Sequence, residues 1–343
     1  MPRVAIIGTG LIGASIGLGL KANAAGNIEI IGSDRYRDHA RQAEAARAVD
    51  RSEPNPAKAV EGAELVIISV PILGIREVME QIAGSLVPGA IVTDTGSTKA
   101  DVLRWAAETL PPHVAFVGGH PMAGKTEHGP RAAEATLFED ARWVISPPRH
   151  TPPDAVDVIH SLAKTLGAKP QFMDAMEHDA YVAAISHLPM VAATALFRLA
   201  RGSEAWPELS LLASTGFKDT TRLTATDPAM AHDIMLTNRE QIVHWLRRYR
   251  EALRDLEDEI ASGADENALF RSISETNLQY TAYREGVVGR REVHDDILDE
   301  IPEPGMMDLL LGGALAERAR ELQKRADERL SESEREMRYL GRQ

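Results

Sequence analysis

A glycine-rich turn between an apolar strand and a helix, near the start of the chain, constrains the fold most strongly. The β-prone run Val4-Ala5-Ile6-Ile7 leads into Gly8-Thr9-Gly10-Leu11-Ile12-Gly13, and residues 14–22 suit a helix. Gly8 permits the tight turn, Gly10 lets a phosphate approach the backbone, and Gly13 lets the helix pack closely on the strand. The helix N-terminus supplies N–H groups and a positive dipole end. The spacing therefore predicts a dinucleotide-binding βαβ unit with contacts from Gly8, Gly10, Leu11, Ile12 and Gly13.

The acid that follows the second strand indicates which dinucleotide is bound. Residues 28–33 form another β-prone run, and Asp34 follows it, 21 residues after Gly13. A carboxylate at this place bonds the ribose hydroxyls and repels a 2′-phosphate, which favours NAD over NADP. Arg35 and Arg37 leave NADP open, because an arginine here could accept the phosphate if Asp34 turned away. The alternative for both arginines is a solvated loop.

Strand and helix signals alternate along the rest of the first half. Further strands are predicted at residues 65–70, 90–95, 115–118 and 143–146, most of them separated by helical segments such as 75–86 and 99–109. This alternation is typical of a doubly wound, mainly parallel sheet of Rossmann type. Ligands of such sheets bind outside the carboxyl ends of the strands. We therefore expect one crevice lined by the glycine loop, Val70, Pro71, Thr95, Ser97 and His120.

His120 lies in the apolar and glycine-rich segment Val117-Gly118-Gly119-His120-Pro121-Met122-Ala123-Gly124. A histidine at the mouth of a strand can take a proton near neutral pH, and the small glycines let a ligand approach. The alternative is a histidine that only ends the strand through hydrogen bonds. Ser97 is a candidate partner for the site; it also suits the N-cap of the helix that begins near Thr98.

After residue 175 the pattern changes to long helical periods, which predicts an all-helical second domain. We expect domains at 1–175, 176–290 and 291–343, with one long helix at 234–260 and an amphipathic helix at 306–330. His178 and His187 are nine residues apart, on opposite faces of a regular helix, and so cannot form a simple metal pair. The sequence also lacks cysteine and any HExxH-like spacing, and we expect no metal site.

The segment Gly216-Phe217-Lys218-Asp219-Thr220-Thr221-Arg222 is unusually polar for a helical domain. The planar guanidinium of Arg222 could bind a carboxylate through two parallel N–H bonds. The alternative is an arginine that forms a structural ion pair.

The charge of the chain limits its partners. The 343 residues carry a net charge of −13, which argues against binding to nucleic acid or to an anionic membrane and favours small-molecule partners. The absence of cysteine fits a reducing compartment, and we find neither a secretory leader nor an apolar run approaching a membrane span. We therefore expect a cytoplasmic protein.

Five motifs in this order resemble the prephenate and arogenate (cyclohexadienyl) dehydrogenases, the TyrA family of tyrosine biosynthesis. They are the glycine turn 8–13, Asp94-Thr95-Gly96-Ser97-Thr98-Lys99, His120-Pro121-Met122-Ala123-Gly124, Ser186-His187-Leu188-Pro189 and the segment 216–222. The resemblance runs from about residue 3 to 285. It implies a Rossmann domain, a helical domain that forms a homodimer, and NAD(P)-dependent oxidative decarboxylation of a cyclohexadienyl acid to a phenol.

The resemblance also implies roles for single residues. His120 becomes the catalytic base, Ser97 its hydroxyl partner and Arg222 the anchor of the substrate carboxylate. The supporting pocket residues would be His178, Asp179, Ser186, His187, Met190 and Lys218.

Three positions depart from the family pattern. Many relatives carry a histidine at Met190 and a tryptophan at Ala231, and some place an acid at Thr126, so the choice between prephenate and arogenate stays open. Two other functions also remain: another Rossmann hydroxyacid dehydrogenase, with Lys218 as its base, and a non-catalytic dinucleotide-binding regulator.

Overall fold

The computed structural model describes residues 2–23, 28–125, 127–262 and 266–286. The chain forms two compact units, Met1–Glu251 and Ala252–Gln343. The predicted division at residue 175 does not coincide with the division between these units and stays a prediction. The segment 291–343 with its predicted helix 306–330, and Thr126, lie outside the described residues.

In the described part of the chain the sheet has eight strands, in the order β3-β2-β1-β4-β5-β6-β7-β8. All neighbouring strands are parallel except β6 and β7. This confirms the predicted Rossmann-type, mainly parallel sheet. The strands are β1 (Arg3–Ile7), β2 (Glu29–Ser33), β3 (Arg51–Ser52), β4 (Leu65–Ile68), β5 (Ile91–Asp94), β6 (Ala115–Pro121), β7 (Arg142–Ser146) and β8 (Lys169–Phe172).

Among the described residues, six α-helices precede β8 and the others follow it, in agreement with the predicted change to helical structure. The helices are α1 (Leu11–Asn23), α2 (Arg37–Ala45), α3 (Pro56–Ala59), α4 (Ile72–Ile82), α5 (Ala100–Thr109), α6 (Pro153–Thr165), α7 (Ala175–Val182), α8 (Leu188–Arg201), α9 (Trp206–Leu212), α10 (Thr215–Thr221), α11 (Pro228–Thr237), α12 (Arg239–Ser262) and α13 (Glu266–Arg284). A π-helical turn, Ala183–His187, joins α7 to α8.

Two apolar clusters form the core, one on each face of the sheet. On one face Ile16 of α1 and Ile159 of α6 pack against the strands. On the other face, Ile75 of α4 shares a cluster with Met190 of α8 and Ile234 of α11. Helices α8 and α11 are therefore anchored on the same apolar layer as α4.

Strand β6 is longer than predicted. It pairs with β5 only as far as Val117, and from Gly118 to Pro121 it pairs with the antiparallel β7. His120 thus lies inside the strand and opposite Val144, not at the end predicted at Gly118. Because β5 ends at Asp94, this last part of β6 extends past the carboxyl edge of its parallel neighbour.

Two predictions were wrong: the single long helix at 234–260, and the absence of an apolar run that approaches a membrane span. The single helix at 234–260 is broken at Asn238, which has φ −123° and ψ 29° between α11 and α12. The helical run Ala175–Arg201 is long and apolar enough, by length and composition, to cross a membrane. Core helices of soluble proteins pass the same test, and this run carries the buried polar side chains of His178, Asp179 and His187.

Candidate active site

The glycine loop has the geometry that its spacing predicts. Gly8 has φ +94°, and a Cβ there would lie 2.1 Å from the Ser69 carbonyl oxygen. A Cβ at Gly13 would lie 2.0 Å from the Gly8 carbonyl oxygen, so the helix can approach the turn only without a side chain. A Cβ at Gly10 would meet no described atom within 4 Å. The backbone is thus open at Gly10, next to the first turn of α1 with Leu11 and Ile12, and this opening fits a pyrophosphate group.

Asp34 is held beside this loop before any ligand binds. Its carboxylate accepts the Thr9 N–H at 2.8 Å and the Tyr36 N–H at 2.8 Å. Arg35 is exposed and lies over the Tyr36 ring, 5.6 Å from its centroid, and Arg37 is exposed in the first turn of α2. The carboxylate retains free acceptor positions for ribose hydroxyls. Arg35 matches the solvated-loop interpretation, whereas Arg37 is exposed but belongs to α2.

The carboxyl ends of β4 and β5 carry the other predicted cofactor contacts. The Thr95 hydroxyl donates to Ser69 Oγ at 3.2 Å, which ties the two strand ends together. Val70 is half-buried on the apolar cluster of α4, and Pro71 precedes that helix. These residues lie at the same edge of the sheet as the glycine loop, where a doubly wound sheet binds its ligand.

A buried ion pair, which sequence reasoning did not single out, lies between β5 and β6. Lys99 Nζ donates to Asp94 Oδ2, and both side chains are fully buried. The Asp94 carboxylate also accepts the Gly96 N–H at 2.8 Å and the Gly119 N–H at 3.1 Å. Burial lowers the pKa of Lys99, and the attraction of Asp94 opposes that shift. The pair therefore joins the loop that carries Ser97 to the strand segment that carries His120.

His120 is the first member of a chain of three side chains. Its Nδ1 lies 2.9 Å from His178 Nε2, and His178 Nδ1 lies 2.8 Å from Asp179 Oδ1. An ionised carboxylate only accepts, so His178 donates from Nδ1 and its neutral ring accepts at Nε2. His120 must then donate from Nδ1, which leaves its Nε2 as an unprotonated base. The chain thus fixes the tautomer of His120.

Asp179 is in turn fixed by the N-terminus of α5. Its two carboxylate oxygens accept the Lys99 N–H at 2.8 Å and the Ala100 N–H at 2.9 Å. These bonds satisfy orphan donors at the helix start. The same carboxylate therefore caps α5 and orients His178.

The pKa of His120 lies well below the ordinary histidine value of 6.5. Burial is the largest cause, followed by the positive charge that His178, Lys99 and His187 would place nearby. His120 is consequently neutral at neutral pH and available to accept a proton.

The structure corrects the prediction that His178 and His187 lie on opposite faces. Both side chains are 1% exposed and lie near Asp179. In the π-turn the Leu188 N–H bonds to the Ala183 carbonyl, five residues back, so each residue turns the chain by less than in an α-helix. His187 is thereby brought round to the buried side. Burial lowers its pKa to about 4.

Asn238 completes this region and was missed from the sequence. Its Nδ2 donates to the Asp179 carbonyl oxygen at 2.7 Å and lies 3.1 Å from His187 Nδ1. The available signal was an asparagine inside a predicted long helix, since asparagine favours helix ends.

The other predicted substrate residues are less closely connected. Ser97 is half-buried, and its hydroxyl has no hydrogen-bond partner among the described residues; the Nδ1 of His120 is committed to His178 instead. Ser186 is exposed on the π-turn, away from the buried side of His187. Lys218 and Arg222 are both exposed near the end of α10.

Two departures from the family pattern fall on one apolar cluster. Met190 is buried and Ala231 is half-buried against the same group of side chains.

The part of the chain that the structure describes contains no group of three or more side chains that could hold a metal ion.

Two domain families match this chain. The nucleotide-binding domain of prephenate dehydrogenase matches residues 16–171, and its dimerization domain matches residues 174–275.

Relatives span most of the chain. It is 33% identical over 324 residues to the prephenate dehydrogenase of Bacillus subtilis (strain 168), covering 92% of this chain and 85% of that protein. It is also 33% identical over 264 residues to the cyclohexadienyl dehydrogenase of Zymomonas mobilis, covering 76% of this chain and 89% of the relative.

Solved structures agree with these relatives. Prephenate dehydrogenase from A. aeolicus, in complex with hydroxyphenyl propionate and NAD+, superposes with a TM-score of 0.77 at 27% identity, covering 82% of this chain and 98% of that one. Synechocystis arogenate dehydrogenase gives a TM-score of 0.70 at 29% identity, covering 82% and 99%. The nucleotide-binding domain, with that NAD+ complex, supports NAD as the cofactor. The extent and identity of these matches show that the chain belongs to the prephenate dehydrogenase family of oxidoreductases.

Proposed function

We propose that this protein oxidatively decarboxylates prephenate, arogenate or both, with NAD as oxidant and His120 as the general base. The observation that carries the proposal is the His120–His178–Asp179 chain, because it leaves His120 Nε2 as a neutral acceptor. The product would be 4-hydroxyphenylpyruvate from prephenate or tyrosine from arogenate.

Each residue of the chain has a distinct part in this chemistry. His120 Nε2 accepts the proton of the ring hydroxyl, and the positive charge that forms is stabilised through His178 by the ionised Asp179. NAD, when bound, supplies the hydride acceptor. Loss of carbon dioxide makes the ring aromatic and so drives the reaction forward. Asp34, Gly10 and the first turn of α1 would hold the cofactor.

We infer that Arg222 binds a substrate carboxylate. Its guanidinium is exposed, and in the described part of the chain no acidic side chain pairs with it. An arginine that served only as an ion-pair partner would have such a neighbour, as Arg104 has in Asp101. Lys218, one helical turn before Arg222, adds a second cation on the same face.

We further infer a cytoplasmic homodimer formed through the helical half. The matched family domain at residues 174–275 is described as a dimerization domain. Large apolar side chains are exposed in this half, among them Leu199 at 75% and Leu211 at 86%. A second copy would cover such a surface.

The competing functions have weaker support. A hydroxyacid dehydrogenase with Lys218 as base would need that lysine in the crevice, yet it is exposed on α10. A non-catalytic regulator would not need a tautomer-fixing chain behind His120.

One spectrophotometric experiment tests the proposal. NADH formation is measured with prephenate, with arogenate and with a panel of 3-hydroxy acids. We expect turnover with at least one cyclohexadienyl acid and none with the panel. Turnover of a 3-hydroxy acid alone would identify the other dehydrogenase class, and no turnover with NAD binding intact would favour the regulator.

A further inference from the structure

Asn238 occupies an unusual place. It is 4% exposed and lies at the break between α11 and α12, where its backbone leaves the helical region. A buried polar side chain needs hydrogen-bond partners, and a break in a long helix costs backbone bonds. The side-chain amide of Asn238 is therefore expected to have hydrogen-bond partners within the fold.

The two bonds of its amide determine the state of His187. The NH₂ group has two hydrogens, so it can donate to the Asp179 carbonyl oxygen at 2.7 Å and to His187 Nδ1 at 3.1 Å together. A nitrogen that accepts carries no proton, and His187 is therefore the neutral Nε2–H tautomer. The opposite amide orientation would place two carbonyl oxygens against each other at 2.7 Å, which excludes it.

Helix α11, which ends next to Asn238, is fixed at two other points to the segments that follow β4 and β5. Asp233 Oδ2 accepts the Leu73 N–H at 3.0 Å, and the Thr237 and Thr98 hydroxyls are 2.9 Å apart. The amide thus holds the π-turn from a support that also contacts the loop of Ser97.

The charge of His187 matters to the base. The titratable groups around it are Asp179 and His178 on α7 and His120 on β6. A proton on His187 would add a cation beside His178 and His120, and so would oppose the positive charge that His120 must take up.

We propose that Asn238 is a positioning residue for His120: its amide locks His187 as a neutral tautomer and fixes the backbone of Asp179, and through Asp179 it sets the orientation of His178 and His120. The proposal rests on the proposed function for its effect on turnover. Its structural part, the tautomer of His187, stands independently of any substrate.

The test compares Asn238→Asp with the wild type. A carboxylate cannot donate to the Asp179 carbonyl, and it turns His187 Nδ1 from an acceptor into a donor. In wild-type protein labelled with ¹⁵N histidine, NMR should show His187 as the Nε2–H tautomer, neutral until the pH falls to about 4. In the variant, His187 should gain its proton at a higher pH.

Kinetics give the second readout. We expect kcat of Asn238→Asp to fall about 10-fold or more, while the dissociation constant for NAD changes less than about twofold. The acid limb of the kcat profile should gain an ionisation that the wild type lacks. Asn238→Ser, which retains one donor, should recover part of kcat without the new ionisation.

Asn55→Asp is the matched control. It makes the same change of charge at an exposed N-cap of α3, where aspartate caps equally well, and it should leave all readouts unchanged. A wild-type His187 that is protonated at Nδ1, or an Asn238→Asp enzyme with wild-type kcat and pH profile, would overturn the proposal. If Asn238→Asp does not fold, the wild-type spectrum still decides. Absence of wild-type turnover would instead count against the proposed function.

Discussion

The cofactor loop and the histidine cluster both hold a functional group in a fixed position, but they do so by different interactions. The loop is built from neighbours in sequence and works because Gly8 and Gly13 lack side chains where backbone approaches within about van der Waals contact. The cluster takes His120 from β6, His178 from α7 and Asn238 from a helix break, and it works through hydrogen bonds. Substitutions in the loop should therefore act through steric clash. Substitutions in the cluster should act by changing the charge or the tautomer of a histidine.

The largest expected effect removes the base from the cluster. His120→Asn keeps an amide donor for His178 Nε2 but has no nitrogen that can take a proton. We expect kcat to fall by about 10² to 10⁴, the usual contribution of a positioned general base, with NAD binding intact. Steady-state kinetics and NAD titration measure both quantities. A folded variant that keeps more than about a tenth of wild-type kcat would contradict this role.

The same experiment carries a pH signature. Only neutral His120 accepts a proton, and burial together with His178 and Lys99 lowers its pKa. The kcat of the wild type should accordingly rise with pH through an ionisation below the ordinary histidine range and be level near neutrality. This rise of kcat with pH should be absent in His120→Asn. His178, which bonds His120 directly, should tune this ionisation rather than Ser97.

Alanine substitutions at Gly8 and Gly10 test the steric role of the cofactor loop. Gly8→Ala forces a Cβ to 2.1 Å from the Ser69 carbonyl oxygen at a φ of +94°, and should cost about 2 to 4 kcal/mol of unfolding free energy. Gly10→Ala meets nothing described within 4 Å, so stability should hold while the KM for NAD rises. Urea unfolding and kinetics separate the two outcomes. Equal stability of both variants would refute the steric account.

The cluster should make stability depend on pH, which the loop should not. His187 has a pKa of about 4 when folded, against 6.5 as an ordinary histidine, so below pH 6.5 the unfolded chain binds a proton that the native one does not. Its contribution to the unfolding free energy should fall by about 2 kcal/mol from pH 7 to pH 5. In urea unfolding, the unfolding free energy of His187→Gln should depend less on pH than that of the wild type. The control His150→Gln, at an exposed position, should show the same pH dependence as the wild type. Equal slopes for all three would exclude this assignment.

The contrast also explains what the sequence could predict. The glycine turn, the mainly parallel sheet implied by alternation and the position of Asp34 follow from local spacing, and the structure agrees with them. His120 was found because glycines and a proline flank it. The His178 contact, the buried Lys99–Asp94 pair and Asn238 were not found, since each depends on residues brought together over many positions, and the π-turn shifts a helical face that regular periodicity would place elsewhere.

A substitution at Asp34 tests how the loop selects NAD over NADP. Asp34→Ser removes the carboxylate that repels a 2′-phosphate but keeps a hydroxyl near the Thr9 N–H. We expect the preference for NAD over NADP to fall about 10-fold, toward the lower end of the 1 to 3 kcal/mol that such repulsion contributes. The measurement is kcat/KM for both cofactors. Equal values for the wild type would remove the basis of this prediction.

The smallest expected effect concerns Arg222, which lies in the helical half and belongs to neither the cofactor loop nor the histidine cluster. Arg222→Lys keeps the positive charge and loses the planar two-point contact with a carboxylate, so the KM for the cyclohexadienyl acid should rise about fivefold or more. The KM for NAD should stay constant, because the cofactor loop lies on other elements. Arg201→Lys, near the end of α8, makes the same substitution where an arginine stacks on Trp206 and serves as the control. A substrate KM that changes no more in Arg222→Lys than in this control would assign Arg222 a structural role, and the substrate carboxylate would need another anchor.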